Sequence, residues 1–432
     1  MNASQPLIVR PPATRPLRER LLTALFTALR AAGGRLQRPP VLPVEPCRIV
    51  IVKPCCLGDV LMTTPVIAAL RARYPRSAIH YAVGQYAAPA IDGHPGIDRL
   101  IDAGPGAAQD WRALLMLWRR MRAGRYDLCV VLERSPRFTI LPWLAGIPAR
   151  AGIDSAGRGF ALNVRVPWDE SLHEADLYLS VAGALDCPTQ GQHLHFAPDE
   201  ASIRQIDDLW HDHDLREPVI AVAPGGGTNP GMDLPEKRWL PDRFAALADR
   251  LHADHGATIV LLGGPADRAL CTQVHAAMRA PALDLSGPAP FAERGALLQR
   301  CRLYVGNDSG PMHLAVAVGC PVVALFGPTD VGLYGPYHAQ ARTVRLPLPC
   351  SPCFVHGHFP PCPNGHACME WLPVEQVLQA CRELLDAPDT RHKGSDVSDH
   401  AGKPQVTPRY AESGTRKRQD DWGKSGRTEA QA

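Results

Sequence analysis

The chain has 432 residues, of which 45% are hydrophobic and 21% charged, and its formal net charge is +3. That length allows two domains with separate cores, and so small a charge argues against nucleic acid as a partner. No run approaches the roughly 20 apolar residues that span a bilayer, and thirteen scattered cysteines, an odd number, do not make a secreted disulfide framework.

Residues 1–46 are rich in Pro and Arg. The first hydrophobic run follows Arg15, Arg18 and Arg20 and lacks a cleavage site, which predicts no signal peptide and a cytoplasmic chain. Residues 17–36 read as a basic amphipathic helix. Leu21, Leu22, Leu25, Phe26 and Leu29 are apolar, and Arg18, Arg20, Arg30 and Arg35 are basic. Such a segment suits peripheral contact with the anionic inner face of the cytoplasmic membrane. It equally suits a helix packed on the domain, or a disordered leader.

A first domain is expected over residues 47–185. Residues 47–53 read as a buried strand, 54–59 as a turn and 60–74 as a helix. Strands at 79–83, 99–102 and 128–132 alternate with helices at 86–93 and 110–123. Residues 158–166 read as an irregular excursion and 173–185 as a helix. Residues 186–217 are polar and interrupted by Pro, with one helix-like piece, and read as a linker. A second domain over 218–387 repeats the alternation, with strands at 219–223, 258–262, 302–305 and 321–326. From 388 to 432 the composition is polar and unpatterned, which predicts a disordered tail. Two strand–helix series predict an α/β protein of two Rossmann-like domains facing each other over a cleft.

The stretch Asn307-Asp308-Ser309-Gly310-Pro311-Met312-His313 stands between a buried strand and an Ala-rich helix. A helix starting directly after a parallel strand turns its free N–H groups and positive dipole end to the carboxyl edge of the sheet, where phosphates bind. Asp308 also suits a helix cap, and His313 an ordinary helix histidine. The first strand of this domain ends in a glycine run containing Gly225 and Gly226, which lets backbone approach a ligand. Neither a GxGxxG nor a GxxxxGK[ST] pattern occurs. Lys237 offers a point charge for phosphate, or is a solvated lysine. Asp267 suits a ribose hydroxyl or a helix cap.

Together these residues resemble the glycosyltransferases of family 9, the ADP-heptose:lipopolysaccharide heptosyltransferases and their relatives. Residues 305–314 and 319–329 resemble the donor-site signature. The strand ending at Lys53 and the turn containing Gly58 and Asp59 resemble the acceptor-side motif, and the segments around Gly225 and Lys237 also fit. The resemblance covers roughly residues 47–385. It implies a GT-B fold and an inverting sugar transfer from a nucleotide diphosphate, without a catalytic metal. It further implies that Asp59 is the general base and that Lys237 neutralises the leaving diphosphate. Asp308, Ser309 and Gly310 would hold the phosphates and sugar, with His313 nearby and Asp267 near the nucleoside. The expected partners are ADP-heptose or a related nucleotide sugar and a cell-envelope glycan or glycolipid. The sequence departs from the heptosyltransferase pattern at Pro54-Cys55-Cys56 and in the long Gly/Pro-rich segment 228–234. Competing readings are a nucleotide-sugar epimerase on the same fold and a non-catalytic nucleotide-sugar binder.

Cys350, Cys353, Cys362 and Cys368, with His356, His358 and His366 among them, have spacings that suit a structural zinc site or a Cys-rich loop under the last helix. Neither takes part in the transfer.

Overall fold

The computed structural model describes residues 7–8, 17–36, 42–105, 110–229, 231–338, 340–354 and 359–388. The expected disordered tail, apart from residue 388, together with His356 and His358, lies outside the described residues. Two six-stranded sheets, each wholly parallel, form the two halves of the molecule. The first contains β1 (Arg48–Val52), β2 (Ala78–Val83), β3 (Arg99–Asp102), β4 (Leu128–Val131), β5 (Ala149–Asp154) and β6 (Val164–Pro167), in the spatial order 3-2-1-4-5-6. The second contains β7 (Val219–Ala223), β10 (Thr258–Leu261), β11 (Ala282–Asp284), β12 (Leu303–Asn307), β13 (Val322–Leu325) and β14 (Ala341–Val344), in the order 11-10-7-12-13-14. A hairpin of β8 (Thr228–Asn229) and β9 (Met232–Asp233) interrupts the second half.

Helices cover both faces of each sheet, so the central strands are apolar throughout rather than alternating. In chain order they are α1 (Leu17–Leu36), α2 (Leu57–Leu61), α3 (Thr64–Arg73), α4 (Trp111–Gly124), α5 (Pro136–Leu144), α6 (Glu174–Gly183) and α7 (Glu200–Asp212). There follow α8 (Pro241–His255), α9 (Arg268–Ala277), α10 (Phe291–Arg300), α11 (Gly310–Ala317), α12 (Val331–Tyr334), α13 (Ala367–Glu370) and α14 (Val374–Leu385). The strand order reverses between β1 and β4 in one sheet and between β7 and β12 in the other. Ligands of open α/β sheets sit at the carboxyl ends of the strands at such a reversal. The turns after β1 and β12 are therefore placed by topology, before any side chain is considered.

The two halves share a core. One buried apolar cluster runs from Val60, Leu61 and Met62 of the first half to Met312, Leu314 and Ala315 of the second. The crossing segment joins them by backbone: His195 N–H donates to Thr64 Oγ1 and Phe196 N–H to the Ala317 carbonyl. Within the expected linker, α7 packs on α10 of the second half, with the Arg300 guanidinium 4.4 Å from the Trp210 ring centre.

Several expectations are corrected. The helix over 60–74 is two helices, because Pro65 has no N–H to give the Leu61 carbonyl; Thr64 Oγ1 donates to it instead, at 2.8 Å. The excursion at 158–166 ends in a strand, β6. The strand β5 escaped the sequence reading because it carries Gly152 and the buried Arg150, whose charge is met by the carbonyls of Ala161, Ile147 and Pro148. The helix α5 escaped it because Pro142 lies inside it.

Candidate active site

On the first domain the site begins where β1 ends. Lys53 is 5% exposed and follows a strand of buried residues, so its ammonium needs partners. It finds two carboxylates, Asp59 and Glu133, each at 3.2 Å, and lies 5.5 Å from the Tyr178 ring centre. Burial pulls its pKa down, but Glu133, Tyr178, Asp59 and Glu174 together outweigh burial and hold it well above its ordinary value. Asp59 follows β1 and Glu133 follows β4, so the two carboxylates flank the strand-order reversal. The Asp59 side chain is 36% exposed and lines the cleft. Cys56 caps α2 by position without a side-chain bond, and a disulfide joins it to Cys55.

On the second domain, Asn307 ends β12 fully buried. Its Nδ2 donates to the carbonyls of Pro224 and Gly225, and its Oδ1 accepts from Trp239 N–H. One side chain thus ties the glycine loop, the strand end and the segment carrying Lys237. Asp308 is 4% exposed. Its Oδ2 receives both Lys237 Nζ and Thr329 Oγ1, each at 2.7 Å. A carboxylate repels a phosphate, so Asp308 acts by holding Lys237 in place at the border of the cleft. Ser309 caps α11 by position, its Oγ donating to the Asn307 carbonyl, and Gly310 opens that helix. Gly310, whose N–H opens α11, lies at the cleft wall, whereas Pro311 has no N–H and Met312 N–H donates to the Ser309 carbonyl.

The glycine loop is packed closely against this start. Gly226 has φ +105°, and a Cβ there would lie 2.4 Å from Ser309 Cβ. A Cβ on Gly225 would lie 2.1 Å from Asp267 Oδ1. Asp267 accepts from Gly226 N–H at 3.0 Å and from Gly264 N–H at 2.9 Å. Its first task is therefore to clamp two loops, and it still borders the cavity. Arg238 Nε donates to the Gly226 carbonyl at 2.9 Å, holding the loop from the other side.

The two halves of the site touch. A Cβ on Gly58 would lie 2.7 Å from His313 Cδ2, so only glycine lets α2 approach α11 this closely. His313 is buried, and its Nδ1 has no partner among the described residues. Burial lowers its pKa to about 4, so the ring is neutral at physiological pH. A cavity of about 720 Å³ spans both domains, bordered by Asp59, Arg134, Arg158, Lys237, Asp308 and His313. That volume is in the range of a small-molecule site. A second cavity of about 580 Å³ shares Leu57, Tyr86, Gly264 and Arg294 with it and adds Pro288 and Phe291.

All the expected residues of the transfer site other than the buried Lys53 and Gly225 border the larger cavity, and those two stand directly behind it. Sequence reasoning missed Glu133 and the tying role of Asn307. A signal existed for Glu133, an acidic residue just past a buried strand at the ligand-binding edge. Thr329 lies in the donor-site signature at the same sheet edge, but its bond to Asp308 from another loop was not legible.

The four cysteines form a separate feature. Burial, then the neighbouring Cys353, Cys362 and Cys350, pushes the Cys368 thiol up to about 12, so the four lie within electrostatic reach of one another. Among the described residues no three His, Cys, Asp or Glu side chains are placed to hold a metal ion.

Comparison with known proteins agrees with this geometry. Residues 114–361, more than half of the chain, match the model of glycosyltransferase family 9 (heptosyltransferase). The chain is 29% identical over 315 residues to lipopolysaccharide heptosyltransferase 2 of Escherichia coli K12, covering 69% of this chain and 88% of that protein. A glycosyl transferase family 9 structure from Veillonella parvula superposes with a TM-score of 0.68 at 26% identity, covering 81% of this chain and 99% of that one. The E. coli ADP-heptose lipopolysaccharide heptosyltransferase II structure gives 0.63 at 25% identity, covering 78% and 98%. With two Rossmann-like domains in the GT-B arrangement and the family's motifs gathered at one cleft, the chain belongs to glycosyltransferase family 9, the heptosyltransferases.

Proposed function

We propose that the enzyme transfers heptose from ADP-heptose to a lipopolysaccharide-type acceptor, with inversion at the anomeric carbon and without a catalytic metal. The observation that carries this reading is the contact of the two turns. The helix bearing Asp59 lies against the helix start that borders Lys237 and Asp308, with Gly58 packed on His313. An acceptor hydroxyl placed in the cleft attacks the anomeric carbon while Asp59 takes its proton. The bond from that carbon to the diphosphate breaks on the opposite side, and ADP leaves with the electron pair. Lys237, the Gly310 N–H at the positive end of α11 and the backbone of the glycine loop meet the charge that develops on the diphosphate. His313 Nδ1, buried and unpartnered among the described residues, is a further group available to the donor.

Family membership and the ADP-heptose named for one relative support the donor. The pairing of Lys237 with Asp308 supports a fixed cation in the role a metal takes elsewhere. A structural zinc at the four cysteines, if held, is a matter of stability alone.

The test is transfer from ADP-heptose to an inner-core acceptor lacking that sugar. The expected result is stoichiometric ADP release, an inverted product linkage and a rate unaffected by EDTA. Asp59→Asn is expected to lower kcat by about a thousandfold. Full activity in Asp59→Asn, or a product of retained configuration, overturns the mechanism. Conversion of the donor sugar with no acceptor present would make the enzyme an epimerase, and an uncleaved donor would make the protein a binder.

A further inference from the structure

The helix α1 is docked by the wrong edge for its composition. At about 100° per residue, Leu21, Leu22, Leu25 and Leu29 fall within an arc of about 100°. Such a stripe is what a helix ordinarily turns into a core. Here the contacts with the body of the protein come from Phe26 and Arg30, on a different edge. The Phe26 ring stacks on Phe160 at 5.9 Å with an interplanar angle of 6°, and Arg30 pairs with Asp154 at 3.2 Å. A Cβ on Gly157 would lie 2.9 Å from the Phe26 backbone, so the seat is close-fitting. The leucines are left out of it: Leu21 is 63% exposed, Leu25 53%, Leu29 40% and Leu22 39%.

We propose that this leucine stripe is the face by which the enzyme lies on an anionic lipid bilayer. Charge selects that occupant. Residues 1–40 contain seven arginines and a single carboxylate, Glu19. Cationic residues flanking an apolar helical stripe bind the headgroup region of anionic membranes, where the stripe enters the acyl boundary and the arginines meet lipid phosphates. The seat of the helix gives the contact a purpose. Gly157 lies in the segment after β5 whose Ser155 and Arg158 border the acceptor side of the cleft. A bilayer held by α1 thus lies beside the wall that a lipid-borne acceptor has to reach. The proposal deepens the reading of a lipid-linked acceptor and rests on it for its purpose, while the membrane contact itself is measured without any sugar transfer.

The test is flotation of the full-length chain with vesicles of phosphatidylcholine alone, or mixed with phosphatidylglycerol. Binding is expected to the mixed vesicles, to be at least about tenfold weaker on the neutral ones, and to weaken in about 0.5 M salt. The triple variant Leu21→Ser, Leu25→Ser, Leu29→Ser is expected to lose at least about tenfold in partitioning to the mixed vesicles. Its unfolding midpoint and its transfer to a deacylated, water-soluble acceptor are expected to be unchanged, because these side chains touch neither the core nor the cleft. Vesicle binding by the triple variant equal to that of the wild type overturns the proposal. So does a wild-type chain indifferent to phosphatidylglycerol, or one that dimerises through the leucines, as sedimentation would show. A chain that binds vesicles as expected but transfers no heptose overturns the functional reading and leaves the membrane face standing.

Discussion

The turns after β1 and β12 have the same local grammar and different fates. Each follows a buried parallel strand, carries one carboxylate and opens a helix at the carboxyl edge of a sheet. The carboxylate of Asp308 is buried and fixed by Lys237 and Thr329. The carboxylate of Asp59 is 36% exposed and shares one lysine with Glu133. Position alone does not make a carboxylate a base. What decides is how many of its lone pairs the protein has already taken. In the proposed mechanism Asp308 is a fixture that aims a cation, whereas Asp59 keeps an oxygen for the substrate.

This contrast can be broken or sharpened by substitution. The largest effect after loss of Asp59 itself is expected from Lys237→Ala, which removes the cation from the leaving diphosphate. A fall of about a hundredfold in kcat/KM, with weaker ADP binding by calorimetry, is expected. An unchanged affinity for ADP would show that Lys237 does not touch the diphosphate.

Glu133→Gln acts on the other turn. With the competing anion gone, Lys53 pairs with Asp59 alone and holds its carboxylate more tightly. A fall in kcat of about tenfold is expected, and Glu133→Asp is expected to restore part of the rate. A rate identical to that of the wild type would reduce Glu133 to a structural partner of Lys53.

The smallest effect concerns stability. The buried His313 has its pKa lowered to about 4 by burial. The unfolded chain, with an ordinary histidine near about 6.5, therefore binds more protons between those values. Stability is fully present above about pH 6.5 and falls as the pH drops toward 4, by on the order of 3 kcal/mol from this group. His94, lowered to about 4 by burial and then by His195, adds a loss of the same sign. Denaturant titrations of wild type and His313→Gln across this range are expected to differ in slope, and parallel curves would contradict the assignment.

Much of this was legible in the sequence, and the limits have physical causes. Continuous apolar runs fixed the central strands, since a parallel sheet covered on both faces leaves no polar side. The two turns were legible because Gly and Pro punctuate them and because the motifs recur in family order. Pairings across the fold were not. Lys237 and Asp308 are 71 residues apart, and Asp308 and Thr329 are 21 apart, so no local pattern in the sequence could pair them. Asp267 read equally as a ribose ligand or a helix cap. In the fold it accepts from Gly264 N–H three residues before it, as a cap does, and also from Gly226 N–H, 41 residues away, a bond invisible until the fold brings the glycine loop to it. The helix at residues 17–36 was legible with its apolar stripe, but which edge would dock was not, because Phe160 and Asp154 lie more than 120 residues away.

The contrast between the two turns is tested most directly by titrating ADP-heptose into Asp59→Asn and Asp308→Asn side by side, by calorimetry in the absence of acceptor. The account predicts wild-type affinity for Asp59→Asn, whose carboxylate serves the acceptor, and affinity at least about tenfold weaker for Asp308→Asn, whose loss releases Lys237. Weakened binding in Asp59→Asn together with wild-type binding in Asp308→Asn would contradict it.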